Sequence, residues 1–508
     1  MKKLMIAVLA LLIAVCTVSC NVIITNPQTT SDNTSDSSDA EDDTSEATQT
    51  EYAHSNMELA PLDDIIATAE GLNVAVSTFK YFFMDEYSSF ISNYYYYLSY
   101  YNFDESIPLH DQSYDFGSEP MSWYEFFLER GKSNFEQYAK FVVMAIKEGM
   151  TLDDEDNAKI EDNLKSIDDI AKEYSQTFEE YMSQFMGEGM TRERVKTALE
   201  LSQLGYKYYL KLYNKPQYTD DDIEAEYVNS NGKYSLVDYY EVQIKAVYDE
   251  TDTDDQAAAA KDEAKTKAEK MKELIDGGMS FTDAYRSAAA SDGEDAETET
   301  ENADDKKDEY LYTGMEYSSL DRYKFLYKEN TAEGQVDITY DDAGNASVVQ
   351  CVKLPYKNAQ TTVNVRHILL SSSDYSTEDE AYAAGQKLLQ QINEAEDPKA
   401  EFIKLVPEYS SDPGSKSNGG LYENVIPGAM VTEFNDWCFD SERKVGDTGL
   451  VLTDYGYHIM YLDGRGEALW YYNCEAGLRE EAFEKAADEI YETVQITYNE
   501  DLLDRITK

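Results

Sequence analysis

Positive charge is what this chain has least of. Its 508 residues carry 43 Lys and Arg against 101 Asp and Glu, a net charge of −58. Nucleic acid and anionic lipid are recognised through basic patches, so both are excluded as directly docked partners. Cysteine is also sparse. Five occur, of which Cys16 and Cys20 lie near the start, leaving Cys351, Cys438 and Cys474 scattered. No CxxC or Cys/His ligand spacing appears, so no zinc site is expected. Cys438 follows Trp437 on an expected core-facing helix, which favours a buried thiol; one disulfide stays open in an exported protein. No Gly-rich phosphate loop, HExxH or GxSxG is present, and the acidic run Asp153 to Asp156 lacks EF-hand spacing. After residue 15 no apolar run is long enough to span a bilayer.

The beginning of the chain carries an export pattern. Lys2 and Lys3 precede the apolar stretch Leu4 to Val15, which is short for a membrane span. Thr17-Val18-Ser19-Cys20 resembles a lipobox, although Leu is usual where Thr17 stands. Residues 1–20 are then a lipoprotein signal peptide and Cys20 the expected lipidated residue; ordinary signal cleavage or a signal anchor is the alternative. A lipid on Cys20 would hold the protein at the outer membrane surface without a transmembrane helix. Residues 21–58 are rich in Ser, Thr, Asp and Glu and have too little apolar surface to offset the entropy of ordering. They are expected to form a disordered acidic linker.

Residues 59–233 show mainly helical periodicity. Leu72 to Val76 suggests a short strand, after which Ser77 is placed to cap a helix bearing Phe79, Phe82 and Phe83. Further helices are expected over Trp123 to Met150, Leu152 to Met186, Thr191 to Tyr213 (Thr191 as N-cap), and from Thr219 through Tyr227. Tyrosine is unusually frequent. Its rigid apolar body and polar tip suit contact with varied polypeptides. The cluster Tyr94 to Tyr97 with Tyr100 and Tyr101 is equally a candidate binding surface and a candidate packed core.

Residues 357–466 mix strand and helix patterns in the proportions of a small α+β domain. Val365 to Leu370 and His458 to Leu462 are the strand signals. Thr377 with Glu380 forms a candidate capping box for a helix to Ile392, and Phe402, Leu405 and Val406 mark a second helix near Pro407. Met430, Phe434 and Trp437 recur at helical spacing. Four segments carry a likeness: Val365-Arg366-His367-Ile368-Leu369-Leu370, Tyr409-Ser410-Ser411-Asp412, Gly419-Gly420-Leu421, and Thr453-Asp454-Tyr455-Gly456-Tyr457-His458-Ile459. Together they resemble the parvulin family of peptidyl-prolyl isomerases. The whole chain resembles extracellular foldase lipoproteins of the PrsA/SurA type.

That resemblance implies a site. Two of the four histidines in the chain, His367 and His458, match the paired histidines of the family, where exchangeable tautomers link central strands. Asp412 matches the position that carries Cys or Asp. On the residues alone it would simply cap the turn Asp412-Pro413-Gly414. Thr453 matches a site hydroxyl, and Met430 and Phe434 match the proline pocket. The catalytic set is therefore His367, Asp412, His458 and Thr453, with Met430 and Phe434 binding substrate. Rotation about X–Pro needs no cofactor, metal or covalent intermediate. Asp374, Glu378, Asp379 and Glu380 follow the first strand where phosphate-directed parvulins carry basic residues, so a phosphorylated substrate would be repelled.

Residues 234–356 look like a weak copy of this module. Tyr239 to Ile244 stands for Val363 to Ile368, Ser291-Asp292 for Ser411-Asp412, Leu311-Tyr312 for Leu421-Tyr422, and Gly334 for Gly446. Gln243 takes the first histidine position, and Ala346 or Ser347 the second. The acidic stretch Gly293 to Glu309 is expected to be a loop. The resulting architecture is α+β and multidomain: a helical chaperone-like N-terminal domain (59–233), a degenerate parvulin-like domain (234–356), a parvulin domain (357–466), and a C-terminal helical segment (467–508) returning to the N-terminal domain. The expected function is prolyl isomerisation and chaperoning of unfolded exported polypeptides, with a noncatalytic peptide-binding holdase as the alternative.

Overall fold

In the computed structural model, residues 53–54, 57–98, 100–116, 120–249, 251–289 and 309–507 are described. The expected signal peptide, Cys20, almost all of the linker and most of the 293–309 stretch lie outside them. Two compact units divide the chain, one made of residues up to Pro216 with those from Glu480 onward, the other of Gln217–Arg479. Among the described residues no helix is long and apolar enough to cross a membrane. Cys351, Cys438 and Cys474 are buried free thiols.

In the first unit, β1 (Ile65–Ala69) and β2 (Leu72–Ala75) pair antiparallel and lead straight into α1 (Val76–Tyr94). Ser77 is not the cap. The amides of Val76 and Ser77 donate to the carbonyls of Asp64 and Leu62, both at 2.9 Å, so backbone does what a capping side chain would do. β3 (Ser113–Tyr114) and β4 (Met121–Ser122) form a small ribbon. α2 (Trp123–Lys147) then opens on a capping box between Ser122 and Glu125. The expected single helix from 152 to 186 is two, α3 (Asp154–Glu173) and α4 (Phe178–Met186). Ser175 between them is left-handed at φ 58°, and Thr177 starts the second helix with its own capping box to Glu180. Asp153 and Asp156 likewise cap α3. α5 (Arg192–Tyr213) follows, with Thr191 accepting from Arg194 N. Phe79, Phe83, Trp123, Phe127 and Phe135 are fully buried in one core.

The tyrosine cluster divides between core and surface. Tyr101 packs against the core and stacks edge-on with Phe90. Tyr96, Tyr97 and Tyr100 are 73 %, 62 % and 70 % exposed.

The second unit opens with α6 (Asp220–Asn229), capped by Thr219. Two sheets of the same pattern follow. The first takes β5 (Ser235–Ile244), α7 (Asp254–Asp276), α8 (Phe281–Ala289), β6 (Leu311–Glu316), a 3-10 turn at Asp321–Tyr327, β7 (Val336–Tyr340) and β8 (Ala346–Lys357). The second takes β9 (Thr361–Ser371), α9 (Glu378–Glu394), α10 (Pro398–Tyr409), β10 (Leu421–Val425), α11 (Thr432–Phe439), β11 (Thr448–Thr453) and β12 (Gly456–Ala468). Their strand orders are β6-β5-β8-β7 and β10-β9-β12-β11, with every pair antiparallel. Period-two burial puts Ile368, Leu370 and Ile459 on the face covered by α9 and α10. Val363, Val365, Met460 and Leu462 lie on the face covered by α11. The Thr377–Glu380 box is only half made. Thr377 accepts from Glu380 N, but the Glu380 carboxylate accepts from Ser376 N.

α12 (Leu469–Thr493) leaves β12, then β13 (Thr497–Tyr498) and α13 (Glu500–Leu503) close the chain. The two compact units divide at Pro216 and at Arg479. The physical reason is that α6 packs on the start of α12 through Tyr227 against Trp470, and that Tyr218, just before α6, donates its OH to Leu478 O in α12. From residue 480 on, Phe483, Ala487, Ile490 and Val494 pack with Phe141, Val143 and Tyr208 of the first unit. β13 adds to β1, an element the sequence pattern did not signal. Leu502, Leu503 and Ile506 enter the main aromatic core.

Leu503 is fully buried there, so Leu503→Ala should destabilise the first unit by roughly 2–5 kcal/mol. Urea unfolding followed by Trp123 fluorescence, with Trp437 and Trp470 changed to Phe, reads this directly. An unchanged midpoint would mean that the C-terminal segment is not part of that core.

Candidate active site

β9 and β12 carry the centre of the site. Their register sets His367 opposite Met460 and His458 opposite Leu369, which places both rings on the face covered by α11. The rings stack at 5.2 Å and 16°. Both histidines are buried, and His367 Nδ1 meets His458 Nδ1 at 3.0 Å. His458 Nε2 meets Thr453 Oγ1 at 2.9 Å. On the other side His367 Nε2 meets Asp412 Oδ2 at 3.0 Å.

The loop from Ser411 to Gly420 brings Asp412 to this place because backbone bonds fasten it to β9. Ser411 N donates to Leu369 O, and His367 N donates to Gly420 O, both at 2.8 Å. Gly420 has φ +76°, and a Cβ there would sit 2.5 Å from His367 O. Only glycine allows that approach. Arg366 anchors the same loop by donating to Gly419 O at 2.8 Å while paired with Asp463.

Electrostatics orders the protons along this row. Burial alone would raise the Asp412 carboxyl, but His367, Ser415 and Tyr422 hold it well below the usual carboxylate range. Asp412 is therefore ionised and His367 Nε2 must carry the proton it donates. Burial, then the neighbouring His367, pushes His458 down to about 4, so it is neutral near pH 7. One proton lies between the two Nδ1 atoms. If His458 supplies it, His458 Nε2 accepts from Thr453, and the row runs in one sense from Thr453 to Asp412.

Phe434 on α11 stands edge-on to both imidazoles, at 5.3 Å from His367 and 5.5 Å from His458. Met430 is half-buried against the same cluster, two residues before α11 rather than on it. Thus Asp412, His367, His458, Thr453 and Phe434 come together, and Met430 joins them only through the apolar cluster around Phe434. Trp437 belongs to the core beneath, with Arg443 over its ring at 4.1 Å. Sequence reasoning missed Ser415 and Tyr422, which donate to Asp412. Serine in a turn and one tyrosine among 43 carry no signal. Among the described residues no group of three or more His, Cys, Asp or Glu is arranged to hold a metal.

The first sheet of the same unit has other chemistry in this place. Gly446 N donates to Leu462 O as Gly334 N donates to Cys351 O, which aligns the two modules. Counting back, Glu241, opposite Val349, stands where His367 stands, and Ser347 where His458 stands. The expected Gln243 is therefore displaced by two residues. The weak sequence repeat fixed the strand but not its register. Glu241 accepts from Tyr323 OH at 2.6 Å and pairs with Arg322 at 2.8 Å. Ser291-Asp292 lies outside the described residues.

With this geometry in view, residues 349–465 match the family model of the PPIC-type PPIASE domain. "Foldase protein PrsA" of Geobacillus sp. (strain WCH70) is 35% identical over 113 residues, 22% of this chain and 36% of that protein. "Foldase protein PrsA" of Geobacillus kaustophilus (strain HTA426) is 31% identical over 208 residues, 34% of this chain and 72% of that protein. "Chaperone SurA" of Pseudomonas syringae pv. syringae (strain B728a) is 35% identical over 103 residues, 20% of this chain and 23% of that protein. The chain thus spans about a third of the first relative and about a quarter of the third.

The low value of His458 makes stability depend on pH. Unfolded, its value is about 6.5; folded, it is about 4. Above both values neither state binds the proton and nothing is lost. As pH falls from about 6.5 the unfolded chain takes a proton that the folded site refuses, so stability drops until pH reaches about 4. The loss attributable to His458 is on the order of 2–3 kcal/mol at pH 4.5. His458→Gln should remove it. The difference in unfolding free energy between parent and variant, measured in urea at pH 7 and pH 4.5, should narrow by that amount. A constant difference would contradict a buried, neutral His458.

Proposed function

We propose that this chain, which belongs to the family of PrsA foldase proteins, is a peptidyl-prolyl cis–trans isomerase and chaperone for exported polypeptides. Its place of work is the outer face of the membrane, held there by a lipid on Cys20. The observation that carries the isomerase reading is the row Asp412–His367–His458–Thr453 with Phe434 edge-on to both imidazoles and Met430 in the apolar cluster that holds Phe434.

The barrier to X–Pro rotation is about 18–20 kcal/mol, and the uncatalysed exchange takes tens of seconds. It arises from resonance that places negative charge on the carbonyl oxygen. An ionised Asp412 beside that oxygen disfavours the planar form and so favours the twisted one. Phe434 and Met430 offer an apolar wall for the pyrrolidine ring, away from the water that solvates the planar imide. No proton is transferred overall, so the histidines serve to hold Asp412 and the strands in place. Lowering the barrier by roughly 5 kcal/mol would accelerate exchange between a thousand- and ten-thousandfold.

Asp412→Ala and Phe434→Ala should each slow isomerisation of a proline-containing peptide at least tenfold with circular dichroism unchanged. Parental rates in both would sink the assignment and leave the noncatalytic holdase.

The chaperone part rests on a different surface. Tyr96, Tyr97 and Tyr100 are exposed beside half-exposed Tyr94 and Phe116. No Lys or Arg occurs between Tyr81 and Glu129. An aromatic surface of this extent can engage many apolar side chains, where a proline pocket engages few. In protein already carrying Asp412→Ala, suppression of aggregation of a proline-poor client should persist. It should fall when Tyr96, Tyr97 and Tyr100 become Ser. Persistence after that change would place client holding elsewhere.

A further inference from the structure

The hydrogen bonds on Asp412 are not shared between its two oxygens. His367 Nε2 at 3.0 Å, Ser415 N at 2.9 Å, Ser415 Oγ at 2.5 Å and Tyr422 OH at 3.1 Å all meet Oδ2. Among the described residues no hydrogen bond reaches Oδ1. The Asp412 side chain is 16 % exposed, so the carboxylate is not sealed from an approaching substrate. The terminal torsion of an Asp side chain is broad. A single bond from His367 would leave the carboxylate free to turn, and three further donors on one oxygen do not.

Tyr422 is the donor that a sequence pattern cannot explain. It is half-buried on β10, with its ring 5.4 Å from that of His367. Burial and then the charge of Asp412 push its phenol up, so it remains a donor. Gly414 makes room for it. A Cβ at Gly414 would lie 2.5 Å from Tyr422 Oη but 3.5 Å from Cζ and 3.7 Å from Asp412 Oδ2. Gly414 is not among the glycines with positive φ. Space for one hydroxyl, not backbone freedom, is therefore what glycine supplies at this position.

We propose that Tyr422 is a positioning residue for isomerisation. Its hydroxyl, admitted by the bare Gly414 and joined by Ser415, turns the Asp412 carboxylate so that Oδ1 faces the substrate imide. This rests on the reading of Asp412 as the substrate-facing charge. A charge that acts through a fixed oxygen loses effect when the carboxylate turns, while the apolar wall that binds proline is untouched.

The test is a double-mutant cycle in the full chain, with isomerisation kinetics as readout. Tyr422→Phe should lower kcat roughly tenfold with KM within about twofold. Gly414→Ala, which displaces the hydroxyl, should lower kcat similarly. Added to Tyr422→Phe it should lower kcat no further, because Phe has no atom where the new Cβ intrudes. A parental kcat in Tyr422→Phe, while Asp412→Ala is slow, overturns the positioning role and leaves the isomerase reading standing. Additive losses in the double variant overturn it as well. A parental kcat in Asp412→Ala removes the reading on which it rests.

Discussion

One register governs the site. β9 pairs antiparallel with β12 so that His367 faces Met460 and His458 faces Leu369. Two residues of offset on adjacent strands bring both imidazoles to one side and within hydrogen-bonding reach. A slip of one residue would send one ring to the opposite face of the sheet and separate the two Nδ1 atoms. Nothing about the histidines themselves enforces this. It is enforced by the apolar alternation around them, since Val363, Val365, Met460 and Leu462 must face α11 while Ile368, Leu370 and Ile459 face α9 and α10. The chemistry is thus fixed by the burial of residues that take no part in it.

The two modules of the second unit show how far fold and chemistry separate. They share strand order, the two helices after the first strand and the glycine-anchored bond at the start of the third strand. Where one has His367 the other has Glu241, held by Tyr323 and Arg322. The carboxylate in that place accepts from a phenol and is paired with a guanidinium. It leaves no second imidazole partner, because Ser347 stands where His458 would. One strand order thus carries different side chains in the place of the histidines.

Tyrosine plays two parts in the first unit for one physical reason. A phenol can bury its ring and satisfy its tip, as Tyr124 does by donating to Leu503 O. It can also stand in water at modest cost, as Tyr96 and Tyr100 do. Residues adjacent in sequence therefore take opposite fates according to the side of α1 and its following turn on which they fall.

Much of this was legible in the residues. The helical and strand periodicities, the caps at Thr191 and Thr219, and the gathering of His367, Asp412, His458, Met430, Phe434 and Thr453 on one module all follow from local patterns or from resemblance. Local patterns carry this information because capping, turn and alternation signals are written within a few positions of the residues they organise. The structure alone decided the rest. Ser77 is not a cap because the carbonyls of Asp64 and Leu62 take the amides of Val76 and Ser77; the helix from 152 to 186 breaks because Ser175 turns left-handed. Glu241 rather than Gln243 meets the histidine position because cross-strand register counts from Gly334, more than ninety residues downstream. Tyr422 and Gly414 join Asp412 only when β10 folds beside β9. The break at Ser175 is a local turn, whereas the Ser77 and Glu241 outcomes depend on backbone bonds between separate segments, which sequence neighbourhood does not record.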